Sequence, residues 1–134
     1  MGKILHVASP LQVQTPPLSA ATRHGELVFI SGTPGYHDDG TIAENDFEAQ
    51  FHQAVTTLQA LLLAAGSSMR SILKVNVLLT READVQAMNL HYGSAFGPAP
   101  YPARTTSVVR ALPDPRMLLE IECIAVATDG SEVL

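Results

Sequence analysis

The sequence predicts an α+β fold: one mixed sheet of five or six strands with two helices on one face. Three observations carry that expectation. Several short segments alternate their residue types with the two-residue period of a strand. Two longer segments repeat apolar residues at three- and four-residue spacings, the period of a helix. The segments follow one another in the order β, β-hairpin, α, β, α, β, β, with no internal repeat, linker or low-complexity tract, so residues 1–134 read as a single domain.

"KILHV" (3–7) is the first strand candidate. "SPLQVQTPPLS" then places three prolines in eleven residues. Proline removes the N–H donors that a sheet ladder needs, so this stretch predicts an extended loop. "ATRHGELVFISG" reads as a hairpin turning at His24-Gly25, and "TPGYHDDGTI" as a loop with the turn dipeptide Asp39-Gly40. The first helix is expected to start at Asn45, with Glu48 three residues on completing a capping box. Its apolar stripe is Phe47, Phe51, Val55, Leu58, Leu62 and Ala65, and Gly66 is its expected stop.

"SILKVNVLL" (71–79) alternates Ile72, Lys74, Asn76 and Leu78 against Leu73, Val75, Val77 and Leu79, which predicts a strand. Thr80 is the expected cap of a second helix, "READVQAMNLHYGSAF", with a stripe of Val85, Met88, Tyr92 and Phe96 that ends at Gly97. The proline-rich connector "GPAPYPA" leads into "YPARTTSVVR" and then "MLLEIECIAVA", the last two strands.

Composition narrows the class. The chain is 46% hydrophobic and only 16% charged, and its strands are apolar on both faces. A sheet of that kind buries its second face against something, and another subunit is the simplest cover. The net charge is -5 and there is no Lys/Arg cluster, which argues against a nucleic-acid partner. Cys123 is the single cysteine, so no disulfide forms within the chain, a reducing compartment is expected, and the thiol reads as an inert core residue. "MGKILHVASP" has no secretory apolar core, and His6 stands where a myristoylation signal needs Ser or Thr. No window of about 18 apolar residues exists. The expectation is a cytoplasmic protein without membrane contact.

The polar residues that stand out are few. Arg104 heads a strand on the same face as Thr106 and Val108. Glu120 and Glu122 share a face with Leu118, Ile124 and Val126, opposite Leu119, Ile121, Cys123 and Ala125. A poorly hydrated carboxylate needs a partner, or its pKa rises. Arg104 is the natural partner, and Arg110 the other. Two readings follow. One is a structural ion pair at a subunit interface. The other is an arginine fork for a ligand carboxylate, with a glutamate orienting water. His6, His24, His37, His52 and His91 show no HxH, HxxxH or HxxEH spacing, so no metal site is expected, and His52 and His91 are placed on exposed helix faces. Ser31-Gly32 in "FISGTPG" is not a nucleophile elbow, and "GTPGYHDDG" is not a phosphate-binding loop.

"FISGTPG", the Asn89-x-x-Tyr92 pair in "AMNLHYGSAF", "PARTTSVV", "ALP" and "LEIECIAVA" occur in an order and spacing that resembles the Rid family, the YjgF-like reactive intermediate/imine deaminases. The resemblance runs from about Ser19 to Ala127. It implies a chorismate-mutase-like fold, a homotrimer whose sheets form a central barrel, and ligand clefts between adjacent subunits. It also implies hydrolysis of 2-imino acids, formed from 2-aminoacrylate or 2-aminocrotonate, to 2-keto acids and ammonia without a cofactor. These enamines arise from pyridoxal-phosphate dehydratases.

By position, Arg104 matches the arginine that clamps the substrate carboxylate, and Glu120 the glutamate that helps hold the attacking water. Ser31 and Gly32 match a Ser-Gly pair lining the cleft, and Asn89 a cleft asparagine. Thr106 falls where many members have cysteine, and its main chain would line the pocket. Pro17-Leu18 replaces a Gly-Pro-Tyr whose tyrosine reaches the cleft, so Leu18 stands in its place and Tyr36 or Tyr101 is left to supply a ring. That change admits a larger enamine such as 2-aminomuconate, the substrate of another member. A trimer that binds small carboxylates without turnover is the non-enzymatic alternative. A nuclease or translation-inhibitor role, proposed for relatives, is disfavoured by the acidic charge. Chorismate-type chemistry would rest on fold analogy alone.

Overall fold

The computed structural model describes residues 2–129. Its strands are β1 (Leu5–Val7), β2 (Ala21–His24), β3 (Leu27–Thr33), β4 (Ile72–Leu79), β5 (Ala103–Val108) and β6 (Leu119–Val126), with helices α1 (Phe47–Ala64) and α2 (Asp84–Phe96). They form one six-stranded sheet in the order β1-β2-β3-β6-β4-β5. Every pairing is antiparallel except β4 with β5. That parallel pair is joined through α2, as a parallel crossover requires. The predicted α+β order of strands and helices is the observed one.

The core lies between the sheet and the helices. Val28 and Ile30 of β3, Val75, Val77 and Leu79 of β4, and Leu119, Ile121, Cys123 and Ala125 of β6 are all buried. They form one cluster with Phe51, Ala54, Leu58 and Leu62 of α1 and Met88, Tyr92 and Phe96 of α2. Both predicted helix stripes therefore face the sheet. The hairpin turns at Gly25 (φ 60°) and α1 stops at Gly66 (φ 83°), as their sequence positions led one to expect.

Three local expectations are corrected. The cap of α1 is Asp46, one residue later than Asn45: its carboxylate accepts from the Ala49 N–H at 3.0 Å, while Asn45 adopts a left-handed φ of 59°. Thr80 does not cap α2; its N–H is bound to the Leu118 carbonyl at 3.1 Å, which extends the β4–β6 ladder. Helix α2 begins only at Asp84, where the Arg81 guanidinium donates to the carboxylate at 2.7 Å. In β4 the register shifts between Ile72 and Lys74, so Ile72 turns into the core and Leu73 turns out.

One buried amide positions the start of β6. Gln50, on the apolar side of α1, donates from Nε2 to the carbonyls of Ala43 and Arg116, each at 2.9 Å. Its Oε1 accepts from the Leu118 N–H at 2.8 Å. The chain entering β6, and so Glu120, hangs from this side chain.

Among the described residues, the part of the sheet face away from the helices that holds Leu27, Phe29 and Leu73 is uncovered. Leu27 and Phe29 are each 43% exposed and Leu73 is 49% exposed. The sheet thus has the unpartnered apolar face that the composition predicts.

Candidate functional site

The predicted site residues fall into two groups on opposite sides of the sheet. The first surrounds Glu120. In β6, Leu119 and Ile121 point into the core, so Glu120 points to the open face, where it lies across from Leu78 of β4. A cavity of about 320 Å³ opens there, lined by Leu18, Ser31, Gly32, Tyr36, Arg116 and Glu120 among others. Gly32 lies close against Glu120: a Cβ at that position would stand 2.7 Å from Oε2 and displace the carboxylate. Ser31 is a tie rather than a free nucleophile, its hydroxyl donating to the Ser19 carbonyl at 2.7 Å. Leu18 is half exposed on the loop that roofs the cavity.

The electrostatics of this half are set by burial. Desolvation, with the neighbouring Glu122 charge as a lesser cause, raises the pKa of Glu120 above its ordinary value. Among the described residues no donor reaches its carboxylate, whereas Glu122 accepts from the Asn76 amide at 3.3 Å. Farther round the wall, the Tyr36 hydroxyl donates to Asp114 at 2.7 Å, and Asp114 is also gripped by the Arg116 guanidinium at 2.7 Å. Those two donors, the arginine first, hold the Asp114 carboxyl well below the usual range. Sequence patterning did not disclose the Tyr36–Asp114–Arg116 group; the close Asp114 to Arg116 spacing is its one local cue.

The second group surrounds Arg104. In β5, Arg104 lies in register with Val75, and Thr106 with Val77, so both are on the helix side. Helix α2 supplies the contacts. The Arg104 guanidinium donates to Asn89 Oδ1 at 2.8 Å and to the Met88 sulfur at 3.6 Å, and it rests 4.6 Å above the Tyr92 ring. Tyr101 packs beside Tyr92, 6.3 Å between ring centres. Two polar atoms in this half are buried without a partner among the described residues: the Tyr92 hydroxyl and Thr106 Oγ1.

The predicted pairing of Arg104 with Glu120 or Glu122 is therefore not made within the chain. Strand β4 lies between β5 and β6, a lateral offset of roughly 10 Å, and the side chains leave the sheet from opposite faces. Among the described residues neither Arg104 nor Arg110 meets a carboxylate. Ser31, Gly32, Leu18 and Glu120 come together, as do Arg104, Asn89 and Thr106. Of the two tyrosines weighed as ring suppliers, Tyr36 belongs to the first group and Tyr101 to the second. Cys123 lies in the core, where burial pushes its thiol up to about 12 and so disfavours the reactive thiolate.

Away from both groups, a cluster that the histidine spacing did not disclose appears on the helix surface. One potential ligand atom from each of Glu48, His52 and His91 lies within 4.8 Å of the others.

The match to known proteins follows this geometry. The sequence model of the family described as Endoribonuclease L-PSP, the YjgF/RidA family, matches residues 12–127. The chain belongs to this family, the Rid family. It is 37% identical over 110 residues to Reactive Intermediate Deaminase A, chloroplastic, of Arabidopsis thaliana, a match that covers 81% of this chain and 58% of that longer relative. It is 31% identical over 122 residues to the 2-iminobutanoate/2-iminopropanoate deaminase of Dermatophagoides farinae, covering 90% of this chain and 94% of the relative. Among solved structures, E. coli TdcF with bound serine superposes with a TM-score of 0.83 at 29% identity, over 92% of this chain and 99% of that one. Among the described residues no helix is long and apolar enough to cross a membrane. The first relative's name places it in a chloroplast, so membership of the family does not carry a cytoplasmic location with it.

Proposed function

We propose that the protein is a cofactor-independent imine deaminase whose site is assembled between copies. The Glu120 cavity of one subunit is closed by the Arg104 group of its neighbour in a homotrimer. The observation that carries this reading is the split itself. Arg104 and Glu120 are both exposed enough to meet a ligand, each lacks an ionic partner among the described residues, and they lie on opposite faces of one sheet. A second copy packed on the open apolar face brings them together and covers Leu27 and Phe29 in the same step.

The chemistry runs on few groups. The substrate is a 2-imino acid. Its carboxylate docks on the guanidinium of Arg104, whose fork is held in place by Asn89 and the Tyr92 ring. Water adds to the imine carbon, its proton passing to the Glu120 carboxylate. The same carboxyl returns that proton to nitrogen, giving a carbinolamine; it then relays the hydroxyl proton to the nitrogen as the C–N bond breaks, so ammonia leaves and a 2-keto acid remains. The balance is imino acid plus water to keto acid plus ammonia. Glu120 suits the part because burial raises its pKa above the ordinary carboxylate value, which makes its carboxylate a stronger proton acceptor. The relative named as a 2-iminobutanoate/2-iminopropanoate deaminase supports small aliphatic imines as first substrates.

A larger enamine acid, of the 2-aminomuconate kind, is the second reading. The cavity volume and the short Leu18 in its wall favour it. A nucleic-acid substrate is disfavoured by the net charge of -5.

The test is ammonia and keto-acid release while a threonine or serine dehydratase generates the imino acid in situ. The expected result is faster release with the protein and none of that gain with Arg104→Ala. Acceleration confined to larger enamines would move the substrate class. No acceleration of either, with tight carboxylate binding, would leave a binding protein rather than an enzyme.

A further inference from the structure

We propose that Glu48, His52 and His91 form a binding site for a divalent transition-metal ion of the zinc class, bridging α1 and α2. Glu48 and His52 stand one turn apart on α1, and His91 comes from α2. The glutamate spans the pair: Oε1 lies 3.6 Å from His52 Nε2, and Oε2 lies 3.8 Å from His91 Nε2. The two imidazoles meet edge to face, 5.3 Å between ring centres. Two ligands on a tetrahedral zinc ion, each at its usual bond length, stand about 3.4 Å apart. The two carboxylate–imidazole distances exceed that by a few tenths of an ångström, and all three ligand atoms lie within 4.8 Å of one another, so rotation of the exposed Glu48 and His52 side chains has to draw them in.

The positions are set by the core beneath. Phe51 is fully buried and its ring lies 6.3 Å from each imidazole. The backbone points that launch the three ligands are therefore fixed by helix packing, and only the tips adjust. His91 is mostly buried against this surface, while His52 and Glu48 are exposed, so an ion reaches the site directly from solvent. Two imidazoles and one carboxylate suit zinc, cobalt, nickel or copper; calcium and magnesium want oxygen donors throughout. Three protein ligands on one side leave further positions to water or to an outside group, so this is an open site rather than a closed structural one. The ion would tie α1 to the helix that carries Asn89, and so to the mounting of Arg104.

The plain alternative is a surface Glu–His ion pair one helical turn apart, with His91 nearby by chance of packing. Metal titration separates the two. Untagged full-length protein, stripped with chelator, is titrated with Zn²⁺ by calorimetry and with Co²⁺ by visible absorption. The expected result is saturation at a single ion per chain, with cobalt bands that mark nitrogen–oxygen coordination. His52→Gln and His91→Gln should each weaken uptake at least about tenfold. No saturable uptake, or uptake unchanged by His52→Gln, would overturn the site, the latter by placing the ion at His6, His24 or His37. Since His52 is exposed, its variant tests the proposal even if His91→Gln fails to fold.

Discussion

The Glu120 half and the Arg104 half are built on opposite plans. Glu120 sits in a formed cavity at the start of a central strand, close against Gly32, with its carboxylate half desolvated and without a donor among the described residues. Arg104 sits on an edge strand, solvent-exposed, its guanidinium already oriented by an amide, a thioether and an aromatic ring. One half holds a reactive group in a shaped space. The other holds a fixed charge in a defined direction. On the proposed function, binding and proton transfer are carried on separate faces of the sheet, and substitutions should separate them.

The largest effect is expected at Glu120. Glu120→Gln should lower kcat about 10²- to 10⁴-fold and leave carboxylate binding almost unchanged, as rates and ligand titration together will tell. It should not destabilise the fold. A raised carboxyl pKa means that folding favours the protonated form. The stability tied to that form is present at low pH and is lost as pH rises through the folded-state pKa. Glutamine is neutral throughout and keeps it, so the melting temperature at neutral pH should stay level or rise.

Gly32→Ala comes next. The added methyl would meet Oε2 of Glu120 at 2.7 Å and displace the carboxylate. A misplaced proton carrier should cost roughly 10- to 100-fold in kcat, again without a matching change in KM. On the other half the pattern reverses. Asn89→Ala removes the 2.8 Å bond that orients Arg104, a loss of about 1 kcal/mol, so KM should rise roughly fivefold with kcat nearly constant. A change in kcat alone there would break the division of labour.

The smallest effect is a shift in pH dependence. Glu122 is the lesser cause of the raised Glu120 pKa, after burial. Glu122→Gln should move the acid limb of the kcat/KM profile to lower pH and leave the plateau where it was. A limb that stayed in place would mean that a group other than Glu120 sets it.

Patterning along the chain disclosed the framework because each element buries one face. The α1 stripe from Phe47 to Ala65 and the alternation of Leu119, Ile121, Cys123 and Ala125 in β6 both end in the core. What stayed hidden was decided by geometry between elements. Asn45 and Asp46 are both good caps, and only the backbone turn at Asn45 selects the second. The bulge that exchanges Ile72 and Leu73 arises from pairing with β6, some fifty residues away in sequence. Arg104 and Glu120 stand out in the sequence as charges on otherwise apolar strand faces. Their separation depends on β4 lying between β5 and β6, and no local pattern states a strand order. Gln50 was not singled out by patterning, because nothing local shows its three bonds to distant backbone. His52 and His91 come from different helices, so spacing rules for a single segment could not join them.

The most direct test of a site shared between copies is complementation. Arg104→Ala and Glu120→Gln proteins, each inactive alone, are unfolded together, refolded as a mixture and assayed for imine hydrolysis. If each site takes its arginine from one subunit and its glutamate from a neighbour, random mixing restores about a quarter of wild-type activity. If both residues serve one site within a single chain, the mixture stays as inactive as its parts, and the shared-site account is wrong.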